Sequence, residues 1–179
     1  MDGRLDRWLN EKEEREGNRR LLRRGAREAA GPFIAGLRLW DLFSTQTYDR
    51  RRYQEERILG AMVVPKISTF VALRHGRLFL AKASKALQRP LPAVLAVEAH
   101  KDGSAHLHGL FDVSGLGPGD IRVLWSIWYK EHGYIRLEEP RSHYDVSAYC
   151  GKYMAKDFSE MVFSRDLNAP LVKRGVLWS

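Results

Sequence analysis

The chain of 179 residues holds a single cysteine, Cys150. One thiol cannot build an intrachain disulfide framework or a cysteine-based zinc module. No apolar run approaches the roughly 20 residues of a membrane-spanning helix. The charged N-terminus lacks the apolar core of a secretory signal. A soluble protein acting in the cytoplasm, with no membrane partner, is therefore expected. Internal repeats and low-complexity tracts are absent as well. From Ile58 to Val97 there is no acidic residue at all. Over the whole chain 30 Lys and Arg face 22 Asp and Glu, a formal net charge of +8. That balance favours polyanionic partners, nucleic acid first. A hydrophobic content of 44% is ordinary for one globular domain.

What is present centres on Val97-Glu-Ala-His-Lys-Asp-Gly-Ser-Ala-His-Leu-His-Gly-Leu-Phe111. It reads as two strands joined by a turn. His106 and His108 are two residues apart, so they share a strand face. Imidazole is a common transition-metal ligand, and two rings at this spacing can reach one ion. Directly opposed residues of an antiparallel pair also share a face. A three-residue loop, Asp102-Gly103-Ser104, places Glu98 opposite His108 and His100 opposite His106; a two-residue loop puts Glu98 on the wrong face. A lone His-x-His is a chance pair more often than a site. With Glu98 and His100 on the same face, a metal or catalytic site becomes the better reading.

The rest of the chain reads as an α+β domain, a central antiparallel sheet flanked by helices. Residues 1–32 form a charged helix or arm, in which Arg19, Arg20, Arg23, Arg24 and Arg27 cluster before a break at Gly31-Pro32. Residues 33–179 form the domain. Leu37 to Tyr48 alternates as a strand. Arg50-Arg51-Arg52 follows, either a solvated loop or a clamp for phosphates. Ile67, Phe70, Val71, Leu78, Phe79 and Ala81 repeat at helical spacing through Ala86. That helix carries Arg74 and Arg77 and could form a wall facing DNA. Ala93 to Val97 is apolar on both faces, as in a central strand. Ile121 to His132 reads as a helix in which Trp125, Trp128 and Tyr129 are core residues or, less simply, a platform for stacked bases. Asp120 can cap it and Gly133 ends it; Tyr134 to Glu138 is a short strand. Leu171 to Leu177 reads as a last strand.

The second informative stretch is His143-Tyr-Asp-Val-Ser-Ala-Tyr-Cys-Gly-Lys-Tyr-Met-Ala-Lys-Asp157. Asp145 or Ser147 can cap a helix running through Lys156. Tyr149, Lys152, Tyr153 and Lys156 then stand at i, i+3, i+4 and i+7, on one face. A tyrosine stripe alone would be core. Two lysines within it argue against a dry interface, because a buried unpaired ammonium is costly. A metal held by His106, His108 and Glu98, beside tyrosines and lysines on a basic surface, suits attack by a tyrosine on a phosphodiester. The phenol is a weak nucleophile at its ordinary pKa near 10, and neighbouring ammonium groups lower that pKa.

His106-Leu-His108 followed by Tyr149-Cys-Gly-Lys-Tyr153-Met-Ala-Lys156 resembles the HUH endonucleases, specifically rolling-circle replication initiators. Phe43-Ser-Thr-Gln-Thr47 looks like the family's first motif, Glu98 to His108 its metal motif, and Tyr149-x-x-Lys152 its nucleophile motif. The Tyr149/Tyr153 spacing is similar to that of two-tyrosine initiators. The resemblance spans roughly Leu37 to Lys156. It implies the HUH nuclease fold and nicking and joining of single-stranded or hairpin origin DNA. It further implies a 5′-phosphotyrosine intermediate, a bound Mg²⁺ or Mn²⁺, and a 3′-hydroxyl for a polymerase. Tyr149 is the expected first nucleophile, with Tyr153 close behind and Lys152 and Lys156 in support. Arg50, Arg51, Arg52, Arg74 and Arg77 are expected DNA contacts. No Gly-x-x-x-x-Gly-Lys-[Ser/Thr] loop is present, so either a separate host helicase is expected or the chain is a fragment of a longer initiator. The alternatives are a single-tyrosine transposase of the same superfamily and a non-catalytic basic nucleic-acid-binding module.

Overall fold

The structure, a computed structural model, describes residues 25, 28–53, 56–58, 61–63, 67–99, 105–142, 145–146 and 161–168. Five strands form one antiparallel sheet in the order β6-β1-β5-β4-β7. They are β1 (Leu42–Tyr48), β4 (Ala93–Ala99), β5 (Ala105–Phe111), β6 (Gly133–Glu138) and β7 (Met161–Phe163). A separate ribbon pairs β2 (Glu56–Ile58) with β3 (Ala61–Val63). Three helices are described: α1 (28–37), α2 (Thr69–Leu87) and α3 (Pro118–Glu131). None of them is long and apolar enough to cross a membrane.

One face of the sheet is covered by α2 and α3. α2 starts at Ser68, whose hydroxyl accepts the Val71 N–H at 3.3 Å, and stops at Gln88, which adopts the left-handed conformation. It buries Ala72, Gly76, Phe79, Leu80 and Ala83, a single stripe at helical spacing. Gly76 is the point of closest approach: a Cβ there would stand 2.8 Å from Leu107 Cδ2 and 3.0 Å from Leu95 Cδ1. α3 opens with the Asp120 carboxylate accepting the Gly117 N–H at 3.0 Å and buries Ile121, Leu124 and Trp128. These side chains meet Leu42, Leu95, Val97, Leu107, Phe111 and Ile135 in the main core. Gly133 follows α3 at φ 139°, where a Cβ would lie 2.4 Å from the Asp49 nitrogen, so only glycine fits that turn into β6.

The opposite face bears the rest of the described core. There Ile34 and Ala35 of α1, Trp40, Val94, Ala96, Leu110, Val146 and Met161 form a second cluster. Its anchor is a buried ion pair: Arg38 Nη2 lies 2.7 Å from Asp112 Oδ2, and Arg38 also donates to the Leu167 carbonyl.

The N-terminal expectations need correction. Residues 28–37 are helical, so Gly31-Pro32 does not interrupt the chain and Leu37 is not in a strand. Ala30, Ile34 and Leu37 have helical spacing, and the buried residues of this segment follow it. Pro32 lacks the N–H that would serve the carbonyl four residues earlier, and the helical run accommodates that loss. β1 begins only at Leu42, and from there the alternation holds, with Leu42, Ser44, Gln46 and Tyr48 turned to the helices. α2, the hairpin strands β4 and β5, α3 and β6 lie where periodicity placed them. β7 and the β2–β3 ribbon carry too few residues to show a pattern. The arginine-rich part of 1–24 and the strand expected over 171–177 lie outside the described residues.

Candidate active site

β5 carries His106 and His108 between β1 and β4. Their face is the one opposite α2 and α3, because the intervening Leu107 points into the main core. On β4, Glu98 pairs with His106 and Ala96 pairs with His108. This register corrects the expected one by two residues. Ala99 faces Ala105 in the last described pair, and residues 100–104 lie outside the described residues. A shift of two preserves the face, and Glu98 still reaches His108 along the diagonal: Glu98 Oε2 lies 2.9 Å from His108 Nε2. A carboxylate only accepts, so the ring donates from Nε2. His108 is buried and Glu98 largely so. His100, expected opposite His106, lies outside the described residues.

β1 flanks the pair on the other side. Thr45 faces His108 and Thr47 faces His106. The Thr47 hydroxyl is 3.0 Å from His106 Nδ1 and fixes that ring. Across β1, Arg136 faces Thr45 and Tyr134 faces Thr47. The floor of the site is thus two threonines, two histidines and one glutamate on three adjacent strands.

Among the described residues, no group of three or more His, Cys, Asp or Glu side chains is placed to hold a metal ion. The donor chemistry nevertheless suits one. Glu98, His106 and His108 would offer a carboxylate and two imidazoles, donor types that suit Mn²⁺. Ligation would replace the Nε2 proton.

Tyr149, Lys152, Tyr153 and Lys156 lie outside the described residues. The flanking positions are described. Asp145 and Val146 are helical, and the Ser142 hydroxyl accepts the Asp145 N–H at 3.2 Å. The cap is therefore Ser142, where Asp145 or Ser147 was expected. Val146 and, after the gap, Met161 both belong to the cluster on the histidine-bearing face.

The expected DNA-contacting arginines are not gathered at this site. Arg74 and Arg77 are on α2, across the sheet from the histidines. Arg77 instead borders a groove of about 470 Å³ with Ser84, Ser164 and Arg165. Arg50–Arg52 form a 3-10 turn. Arg51 is held by the Asp49 carboxylate at 3.0 and 3.1 Å. Arg52 donates to the Tyr129 carbonyl and lies 5.1 Å from the centre of its ring. The side chain of Arg50 is not among those described.

Sequence reasoning missed a second polar cluster, on the helix side of the sheet. His75 of α2 stacks on His132 with ring centres 4.3 Å apart, and the Tyr53 hydroxyl contacts His132 Nδ1. Tyr48 and Trp128 complete it, at 5.8 and 4.5 Å from the His132 ring. Burial, reinforced by the neighbouring His75, pulls the His132 pKa down to about 4. Burial also lowers His75, raises Tyr48, and pushes Tyr53 up to about 12. Neutral rings packed edge and face are a structural arrangement. No spacing signal could have joined residues so far apart in sequence.

No protein-family model, curated protein or solved structure matches the chain.

Proposed function

We propose that this protein is an HUH-type endonuclease that nicks and rejoins single-stranded DNA at a replication origin, initiating rolling-circle replication. The observation that carries the reading is the alignment of Glu98, His106 and His108 on one face of adjacent central strands, with Glu98 and His108 in contact and Thr47 holding His106. Thr47 belongs to the segment read as the first motif. A further support is that Val146 and Met161, the described neighbours of the tyrosine segment, both lie on that face.

A divalent ion, Mn²⁺ or Mg²⁺, held by Glu98, His106 and His108 would polarise the scissile phosphate and offset its developing charge. The remaining chemistry falls to side chains. The Tyr149 oxygen loses its proton and bonds to phosphorus. The phosphorus–O3′ bond breaks, and the departing oxygen takes up a proton to give a 3′-hydroxyl. A 5′-phosphotyrosine remains, and the reverse reaction rejoins the strand. Tyr153 serves a second transfer. Lys152 and Lys156 lower the phenol pKa and balance charge on phosphorus. A host helicase and polymerase act with it.

The test is a covalent adduct. Single-stranded oligonucleotides tiled across the origin or ends of the encoding element are mixed with protein and Mn²⁺, denatured and resolved. An adduct lost in Tyr149→Phe or Tyr153→Phe and abolished by His108→Ala is expected. An adduct that depends on only one tyrosine and forms at element ends would favour the single-tyrosine transposase. No adduct with any tile or metal, despite tight DNA binding, would overturn the nuclease and leave a basic binding module.

A further inference from the structure

Trp125 and Tyr129 were expected mainly as core residues. Only Trp128 is; Trp125 is 43% exposed and Tyr129 36% exposed. Their rings are stacked, with centres 4.3 Å apart and planes inclined by 15°. Tyr129 in turn meets Tyr134 edge-on at 6.3 Å, and Tyr134 is 54% exposed. β6 is an edge strand, and the three rings wrap around it from α3 to the histidine-bearing face. Tyr134 is paired with Thr47, and Thr47 with His106. At about 4.8 Å per strand spacing, the last ring stands roughly 10 Å from His106.

We infer that Trp125, Tyr129 and Tyr134 form a stacking track that binds single-stranded DNA and leads it to His106. The inference rests on reading that face as a nicking site. Exposed aromatic faces in sequence bind unpaired bases of any identity, and such a surface works beside cations that follow the backbone. Arg51 donates to the Tyr134 hydroxyl at 3.4 Å, Arg52 lies against Tyr129, and Arg136 follows Tyr134 on the same face of β6. Asp49 engages Arg51 and Arg52, and Glu138 engages Arg136, so the stacking faces supply most of the binding and the arginines a smaller, salt-sensitive part. A duplex hides its base faces and cannot use the track. Trp125 and Tyr129 cover one face of each other, so the outer face of Trp125 and the Tyr134 ring are the surfaces open to bases, roughly two in number, with Tyr129 backing both.

The test is binding of fluorescein-labelled oligo-dT of 20 nucleotides to the full chain by anisotropy. EDTA is present, so that no strand is cut. Trp125→Ala and Tyr129→Ala are each expected to weaken binding at least about fivefold. Trp125→Phe is expected to stay within about twofold of the parent, which separates a lost stacking face from a lost fold. Binding of a hairpin duplex should be unchanged in all three. Full oligo-dT affinity in both alanine variants would overturn the track, as would an equal loss on the duplex or tighter binding of oligo-U than of oligo-dT. Because binding is read without metal, the result is independent of the nicking reading. Unchanged binding alongside normal adducts would remove the track and leave the nuclease; a selective loss without adducts would support the track and count against the nuclease.

Discussion

Glu98 and His108 touch across neighbouring strands, carboxylate oxygen to Nε2 at 2.9 Å, on the sheet face opposite α2 and α3. If these atoms are metal donors, Glu98→Gln keeps the shape and removes the charge. Mn²⁺ affinity, read from the free-ion signal in an electron paramagnetic resonance titration, should fall at least about tenfold. Equal affinity in parent and variant would exclude Glu98 as a ligand.

Thr47 acts through His106. Thr47→Val preserves volume and removes the hydroxyl that meets Nδ1 at 3.0 Å. Outer partners of metal-bound histidines are worth about 10- to 100-fold in affinity or activity, and a loss of that size is expected in the Mn²⁺ titration. Rescue by Thr47→Ser would show that the hydroxyl, rather than β-strand packing, is responsible.

Arg38 and Asp112 are both almost wholly buried. Burial by itself would raise the Asp112 pKa, but hydrogen bonds from Ser114 and Arg38 outweigh it and hold the carboxyl below its usual value. The carboxylate thus contributes stability that is present above the unfolded pKa and is lost as pH falls through the folded one. Arg38→Met strands this charge and should cost about 3 kcal/mol in urea unfolding at neutral pH. Arg38→Met with Asp112→Leu should recover much of that loss, since an apolar pair leaves no buried charge.

His132 makes folding acid-sensitive. Its pKa is about 4 in the folded chain against 6.5 ordinarily, chiefly through burial. Between these values the unfolded chain binds a proton that the folded chain does not, so stability falls as pH is lowered through this window, by about 2–3 kcal/mol in all. His132→Phe keeps the stacking and removes the titration. Thermal melts of the variant should vary less between pH 6.5 and 4, with a residual slope from His75. An unchanged pH profile would contradict this assignment.

Gly109, directly after the histidine pair, has no room for a methyl group. A Cβ would stand 2.4 Å from Ser44 Oγ and 2.7 Å from both Leu95 and Phe111 side-chain carbons. Gly109→Ala should destabilise by about 1–3 kcal/mol, measured by urea unfolding.

The parts of the molecule that were legible in sequence are those where one period dominates. Thr69–Leu87 buries one stripe, and Leu42–Tyr48 alternates strictly. The shared face of Glu98, His106 and His108 was also legible, since parity alone sets it. Register was not: a three-residue loop around Gly103 was expected to set Glu98 opposite His108, but Glu98 faces His106, and no local rule fixes that shift in advance. α1 was hidden by Gly31-Pro32, a pair that breaks most helices but is accommodated within this one. Met161–Phe163 was invisible because three residues carry no periodicity; its place beside β4 is decided by tertiary pairing. The Trp125 and Tyr129 surfaces were misassigned because an aromatic residue reads as core until its neighbours are known.

The contact between Gly76 and Leu107 makes the back of the sheet a regulator of its front. Leu107 sits between the two histidines in sequence and faces α2, which rests on it only because residue 76 has no side chain. Any larger residue at 76 must press on a fully buried leucine, and the strand that yields is the one holding both imidazoles. If the histidine-bearing face is the catalytic one, random mutagenesis screened for altered activity should therefore return hits in the middle of α2, across the sheet from His106 and His108.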